Sequence, residues 1–346
     1  MSKYTEFTKL HRESVIFIIF SHRERPQNKS EKNAILSNAD TSITMSNINI
    51  EKCPLCGSVK LKPKFVCTDY FVSKENFELY SCLDCGFLFT QNFPSGDTIG
   101  RYYEASEYVS HSDTKQGIAN KLYHAVRKYM LLKKVKLVSL RSGKQTGKVL
   151  DIGCGTGYFL NVAKQKGWET MGIEKSEPAR KIAMNRFGLT VKSEAELYNL
   201  PQESFDIITL WHVLEHLENL CEMMDIIHRL LLPNGIAVIA VPNCSSYDAQ
   251  HYQTYWAGYD VPRHLWHFTP QTMNLLTNKS NFQITCQKPL YFDSFYVSLL
   301  SEKHKGSRNA EALVKAFIIG LLSNIKTWFR SGREKGSSMV FVLKKK

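Results

Sequence analysis

The sequence predicts an α/β chain built on a doubly wound, mostly parallel sheet with a small cysteine-bearing module in front of it. Two observations carry the sheet. Apolar runs at Val149–Ile152, Met171–Ile173, Phe205–Leu210 and Gly235–Val241 alternate with segments that hold helix caps and stops, and the first run leads into glycines at 153, 155 and 157. A third carries the module: Cys53-Pro-Leu-Cys56-Gly and Cys82-Leu-Asp-Cys85-Gly form two C-x-x-C-G units.

At 346 residues the chain has room for one domain of about 200 residues plus additions. Residues 1–44 show no periodicity beyond the apolar Val15–Phe20, which is too short to cross a membrane, and are rich in Ser, Asn, Lys and Glu. They read as a disordered extension, with Met45 a candidate initiator. Residues 45–95 form the cysteine module, 96–119 a linker or lid, and 120–346 the α/β domain. The nine cysteines do not resemble a disulfide framework, since no secretory leader precedes them and Cys154 lies inside the glycine turn; a reducing cytoplasm is expected.

Each C-x-x-C-G unit offers two thiolates from a tight knuckle, and its glycine lets backbone N–H groups approach sulfur. Together Cys53, Cys56, Cys82 and Cys85 complete a closed tetrahedral shell for a structural Zn2+. A redox role for either pair needs a thioredoxin-like helix after it, and neither has one. Cys67, between the pairs, is expected to be a small buried residue.

The net charge of +13 is unevenly placed. Residues 121–148 carry nine Lys or Arg and no acid, with Leu122, Val126, Tyr129, Leu132, Val135 and Val138 at helical spacing, as in a helix with one buried and one solvated face. Residues 301–346 carry eleven basic against three acidic residues. Within them Leu313, Ala316, Phe317, Gly320, Leu321 and Trp328 fall largely on one helical face flanked by Lys315, Lys326 and Arg330. Such a helix either covers the sheet or the site, or makes peripheral contact with an anionic membrane.

In the glycine turn an acid, Asp151, stands two places before Gly153, which suits a ligand bearing an ammonium group better than a diphosphate. S-adenosyl-L-methionine is such a ligand. Glu174 ends the second strand, about 20 positions after the turn, where a carboxylate accepts both ribose hydroxyls. Ser176 and Pro178 read as N-cap and first turn of the next helix.

On these residues, with Phe205-Asp206 and Val213-Leu-Glu-His-Leu217, the chain resembles class I S-adenosylmethionine-dependent methyltransferases over roughly 120–343. The resemblance implies a Rossmann-like seven-stranded sheet whose last strand, Ser337–Leu343, runs antiparallel. The cofactor-binding set is then Asp151, Gly153, Gly155, Gly157 and Glu174, with Trp211 at the end of the Phe205 strand. Zinc-ribbon-like knuckles also precede this fold in enzymes that methylate deoxysugars, a similarity of layout. Val-Leu-Glu-His-Leu and the later Arg263-His-Leu-Trp-His-Phe268 resemble, in part, ubiquinone-pathway O-methyltransferases, where a Glu-x-x-Glu-His run can hold a divalent cation. Here His212 takes the first place, so only Glu215 and His216 carry that role over.

Methyl transfer requires an acceptor held in line and, for a hydroxyl, removal of its proton. His212, Glu215 and His216 follow one strand; Arg263, His264 and His267 lie in a loop after another. On a helix, 212 shares a face with 215 and 216, and histidine titrates near working pH. The catalytic candidates are therefore His216, His264, His212 and Glu215. Tyr102, Tyr103, Tyr108, Tyr247, Tyr252, Tyr255 and Trp256 either wall an apolar substrate or are core and lid residues. The expected activity is S-adenosylmethionine-dependent methylation of a small-molecule or lipid- or sugar-linked acceptor. RNA methylation and a non-catalytic cofactor-binding scaffold are the alternatives. No Asn-Pro-Pro-Tyr or Asp-Pro-Pro-Tyr run follows the 205–210 strand, so no specific nucleic-acid partner is expected.

Overall fold

The computed structural model describes residues 47–96, 98–103, 118–329 and 335–346, with the side chains of 118–125 and 329 outside that description. The extension at 1–44, most of the 96–119 linker, Tyr108, Arg330 and the side chain of Leu122 therefore lie outside the described residues.

The N-terminal part holds β1 (Asn47–Ile48), β2 (Leu61–Thr68), β3 (Asn76–Cys82), β4 (Leu88–Thr90) and β5 (Phe93–Pro94). After α1 (Ile118–Ser142) come β6 (Lys148–Ile152), α2 (Tyr158–Gln165), β7 (Glu169–Ile173), α3 (Glu177–Phe187), β8 (Thr190–Lys192), α4 (Glu194–Leu197) and β9 (Phe205–Trp211). The chain continues through α5 (Leu220–Leu230), β10 (Leu231–Pro242), α6 (Tyr247–Tyr252), β11 (Trp266–His267), α7 (Pro270–Lys279), β12 (Phe282–Pro289), α8 (Asp293–His304), α9 (Asn309–Phe329) and β13 (Ser338–Lys345).

Seven strands form one sheet in the order β12-β13-β10-β9-β6-β7-β8. β6, β7, β8, β9 and β10 are parallel, and β13 runs antiparallel to both neighbours, as the resemblance implies. The sheet is covered on both faces, so β9 is buried along its whole length. Ser176 caps α3 by accepting the Ala179 N–H, with Pro178 in the first turn. Leu232-Pro-Asn-Gly235 follows the end of α5 at Leu230 and is already part of β10. Leu231 pairs with Phe205, the register breaks, and pairing resumes at Ile236, so the Pro-Asn-Gly run occupies a bulge.

Three expectations change in the structure. The buried stripe of α1 is Met130, Leu131, Lys134, Val135 and Val138, while Tyr129 and Leu132 face out. The helical period was legible but its phase is displaced by Lys134, which lays its ammonium 4.3 Å from the Trp211 ring centroid. In α9, Ala312, Ala316, Ser323 and Thr327 are buried while Phe317, Leu321 and Trp328 are exposed, so the expected apolar face is divided between inside and outside. The cysteine module, finally, does not stop at 95. Its sheet runs β11-β4-β3-β2, and β11 comes from the far end of the chain. Leu55, Phe87, Phe89 and Phe93 share one core with Leu150, Ile208, Trp266 and Phe268.

The seam between the parts is polar at its centre. Arg263, almost fully buried, donates to Asp69 at 2.9 Å, to Asp260 at 2.6 Å and to the Tyr102 carbonyl at 2.9 Å. Although burial works against ionisation, Arg263 and the Ser73 and Phe71 N–H groups hold the Asp69 carboxyl below its ordinary range.

Candidate active site

The site grows from the end of β6. Gly153, Gly155 and Gly157 all have φ between 56° and 82°, the left-handed region that favours glycine. A Cβ on Gly153 would lie 2.5 Å from Val213 Cγ2, and one on Gly157 would lie 2.6 Å from Leu189 Cδ1, so these two are needed for packing. At Gly155 a Cβ would meet nothing within 4 Å.

Beside the turn lies a cavity of about 500 Å3 whose walls include Gly153, Ile173, Glu174 and Ser176 on one side and His212, Val213 and His216 on another. It lies outside the carboxyl ends of β6 and β9, where the strand order reverses. Pro94, Gly96, Ile99 and Tyr103 close it from the N-terminal part. Glu174 accepts the Gly155 N–H at 2.9 Å with one oxygen and the Ser176 N–H at 2.8 Å with the other, which fixes the carboxylate across the turn.

Asp151 lies beneath the turn and not on the cavity wall. Thr209 donates to it at 2.5 Å, and burial raises its pKa to about 7 against the opposing pull of Thr209 and Lys134. Trp211 is also off the wall: its ring packs edge-on to Phe159 at 5.5 Å, in the core on the α2 side. Alternation along β9 sends it away from the cavity, which corrects its assignment to the cofactor set.

His212 leaves the strand with φ 58°, a conformation that re-aims its ring. Val213 breaks from helix, and only Leu214–His216 form a single 3-10 turn, so 212, 215 and 216 do not share one helical face. Instead the ring of His212 lies between two buried carboxylates, with Nδ1 3.3 Å from Glu215 Oε1 and Nε2 3.2 Å from Asp293 Oδ2. These contacts are at ion-pair range without hydrogen-bond alignment. Burial opposes the charged ring, yet Asp293 and Glu215 outweigh it and raise the pKa to about 9. At neutral pH His212 is an imidazolium, unsuited to accept a proton.

The other two histidines meet across the seam. His216 and His264 pack edge to face with centroids 4.6 Å apart, and ligand atoms of Glu215, His216 and His264 lie within 4.8 Å of one another. His216 Nδ1 is 2.9 Å from the Arg263 carbonyl and 3.2 Å from Tyr103 Oη; His264 Nδ1 is 2.8 Å from the Gly258 carbonyl. A ring nitrogen facing a carbonyl carries the proton, so Nδ1 is the donor in each ring, and His264 Nε2 lies 3.9 Å from Asp260 Oδ2. Of the pair, His216 lines the cavity and His264 is buried behind it. His267 is fully enclosed, and burial and His264 push its pKa well down. Because the Thr90 hydroxyl donates to the His264 carbonyl at 2.7 Å, it accepts from His267 Nε2 at 3.1 Å.

The four sulfurs of Cys53, Cys56, Cys82 and Cys85 also lie within 4.8 Å of one another, with closest pairs at 3.5 Å. Backbone N–H groups of Leu55 and Cys56 point at Cys53 Sγ, and those of Asp84 and Cys85 at Cys82 Sγ. Cys67 is buried apart from them, its thiol pushed up to about 12 by burial. Of the aromatics, Tyr103 reaches the cavity, whereas Tyr102, Tyr252 and Trp256 belong to a satellite core. Asp293 and Lys134 had no local sequence signal, since each reaches its partners only through the packing of a distant helix.

Residues 123–287 match the protein family described as a methyltransferase domain. Over 120 residues the chain is 28% identical to a ubiquinone biosynthesis O-methyltransferase of Pseudomonas aeruginosa, covering 32% of this chain and 50% of that protein. It is 31% identical over 101 residues to the ubiquinone biosynthesis O-methyltransferase of Rhodopseudomonas palustris, covering 28% of this chain and 40% of that one. The chain thus spans half or less of the length of these relatives. A solved S-adenosylmethionine-dependent methyltransferase of Archaeoglobus fulgidus aligns with 63% of this chain and 99% of its own, at 22% identity and a TM-score of 0.41.

The imidazolium of His212 predicts a stability profile. A folded pKa of about 9, above the unfolded value, contributes stability that is complete below about pH 6.5 and lost as pH rises through 9. The size is on the order of 3 kcal/mol. Urea midpoints measured from pH 6 to about 9.5 should fall in the wild type and lose that slope in His212→Gln; parallel profiles for the two proteins would contradict the assignment.

Proposed function

We propose that the methyltransferase domain at 123–287 transfers a methyl group from S-adenosyl-L-methionine to a small-molecule acceptor held between the glycine turn and the N-terminal module. The observation that carries this is the cavity at the strand-order reversal, walled by Gly153 of the glycine turn and by Glu174. Each Glu174 oxygen accepts one backbone N–H, which orients the carboxylate on the cavity wall toward the place of the ribose hydroxyls. Asp151 acts through the turn, pinned to β9 by Thr209, and is a positioning residue. The relatives' names, O-methyltransferases of ubiquinone biosynthesis, favour oxygen on a small molecule as acceptor.

His216 is the proposed base. A new bond forms from acceptor oxygen to methyl carbon as the carbon–sulfur bond breaks and its electron pair returns to sulfur. His216 Nε2 takes the acceptor proton while its Nδ1–H stays on the Arg263 carbonyl. His264, buried edge-on to it, holds the ring in place. A second reading, a divalent cation on Glu215, His216 and His264, is favoured by their convergence. Against it stands the imidazolium of His212, 3.3 Å from the Glu215 carboxylate, which opposes a further positive charge.

The four-cysteine cluster fits a structural Zn2+, because a tetrahedron with Zn–S of about 2.3 Å needs sulfurs slightly under 4 Å apart. No donor position is left open for chemistry.

Calorimetry tests the cofactor reading directly. Gly155→Val, which fills the open space and strains a left-handed residue, and Glu174→Ala should each abolish S-adenosylmethionine binding with circular dichroism unchanged. Binding at wild-type strength in both would remove the basis of the proposal.

The two readings of the histidine pair separate by pH and by metal. With His216 as base, activity should fall as pH drops through the histidine range, His216→Ala should lose about 100-fold or more in kcat, and added divalent cations should change nothing. Activity that disappears with a chelator while zinc is retained, and returns with Mg2+ or Mn2+, would establish the cation instead.

Purified protein should contain about one zinc per chain. Cys82→Ser should lose it and become open to proteolysis within residues 47–96. Native stability in a metal-free protein would defeat the zinc assignment.

A further inference from the structure

α9 turns its small side chains inward and its large apolar ones outward. Ala312, Ala316, Ser323 and Thr327 are buried, and a Cβ on Gly320 would lie 2.7 Å from Phe295 Cδ1, so α9 is in close contact with α8. Ser323 donates to the buried Asp248 at 2.8 Å, which fixes the rotation of the helix. The opposite face presents Val314, Phe317, Ile318 and Trp328 at 60%, 55%, 49% and 78% exposure, with Leu321 and Ile325 between them. The spacing 314, 317/318, 321, 325, 328 is one continuous helical stripe. Packing cannot hide it without breaking the inner face.

Charge selects the occupant. Residues 301–346 hold eleven basic and three acidic residues in a chain of net charge +13, and exposed Lys315 and Lys326 lie on α9 itself. A second copy docked on this face would bring like charges together, whereas an anionic surface neutralises them. Among the described residues no helix is long and apolar enough to cross a membrane, so the stripe fits a helix lying in the plane of the headgroups. We propose that α9 is a peripheral docking face for an anionic lipid bilayer, seated through Phe317, Ile318, Leu321 and Trp328 and steered by the surrounding lysines. α9 lies on α8, whose first residue, Asp293, contacts the cavity-lining His212. The inference stands independently of methyl transfer.

Sedimentation of the full chain with vesicles tests it. Wild type should pellet with equimolar phosphatidylcholine and phosphatidylglycerol and remain in solution with phosphatidylcholine alone. The Phe317→Glu, Trp328→Glu double variant should bind the anionic vesicles at least about tenfold more weakly, with unchanged circular dichroism and S-adenosylmethionine binding. Lys315→Glu, Lys326→Glu should weaken binding at low salt more than at high salt. No vesicle binding by the wild type, or equal binding by the double variant, overturns the proposal. So does a wild-type dimer in analytical ultracentrifugation that the double variant converts to monomer without any vesicle binding, since the stripe is then a self-interface.

Discussion

The rest of the site depends on the burial of Arg263. A guanidinium removed from water costs several kcal/mol unless opposite charges and hydrogen bonds surround it. Here Asp260 comes from the same loop, while Asp69 and the Tyr102 carbonyl come from the N-terminal part. The cation is satisfied only when the two parts of the chain are joined, and joining them sets the path of the next five residues. The Arg263 carbonyl meets His216; the Leu265 carbonyl accepts from Thr90 N; the Leu265 N–H donates to Glu215. Trp266 and His267 then pair with Phe89 and Leu88. The cavity wall and the edge of the cysteine module are therefore consequences of one ion cluster.

A second electrostatic arrangement lies beneath the cavity. Asp293, His212 and Glu215 form an alternating row of charges with almost no solvent contact. In a low dielectric such a row is stable only if each member is compensated, and the central imidazolium serves both carboxylates. Its position one place after β9 explains the unusual backbone at 212, since a right-handed residue there would carry the ring elsewhere. With His212 committed to its two carboxylates, the other histidine on the cavity wall is His216, whose Nδ1 is tied to the Arg263 carbonyl.

Much of this was legible in the sequence, and the limits are physical. The glycine turn, Glu174, the Ser176 cap and the antiparallel last strand depend on local backbone demands, which residue types state directly. The cysteine pairs were legible for the same reason, each knuckle being closed by its own glycine. Periodicity gave α1 and α9 as helices but misplaced their faces, because the buried phase is chosen by the neighbour: Trp211 takes Lys134, and α8 takes the small residues of α9. Trp211 itself was misassigned because two-residue alternation says that a side chain has a face without saying which. Asp293 stayed hidden because its partnership with His212 spans the sheet's late strands, with no spacing rule linking them.

The edges of the cysteine module show why it is not an autonomous domain. Its outer strand β2 carries exposed Lys62, Pro63 and Lys64, with a register break after Pro63, and these features prevent another strand from adding there. The other edge, β4, is Leu-Phe-Thr and fully buried, with no charge or proline to protect it. Standing alone it would offer unpaired backbone beside apolar side chains. β11 covers it, and β11 is held in place by the loop that Arg263 anchors. A four-thiolate metal can close the knuckle end of so small a module, but it cannot cover that edge. The α/β part of the chain does so, and the same segment carries His264 to the back of the cavity, whose wall the N-terminal part completes through Pro94.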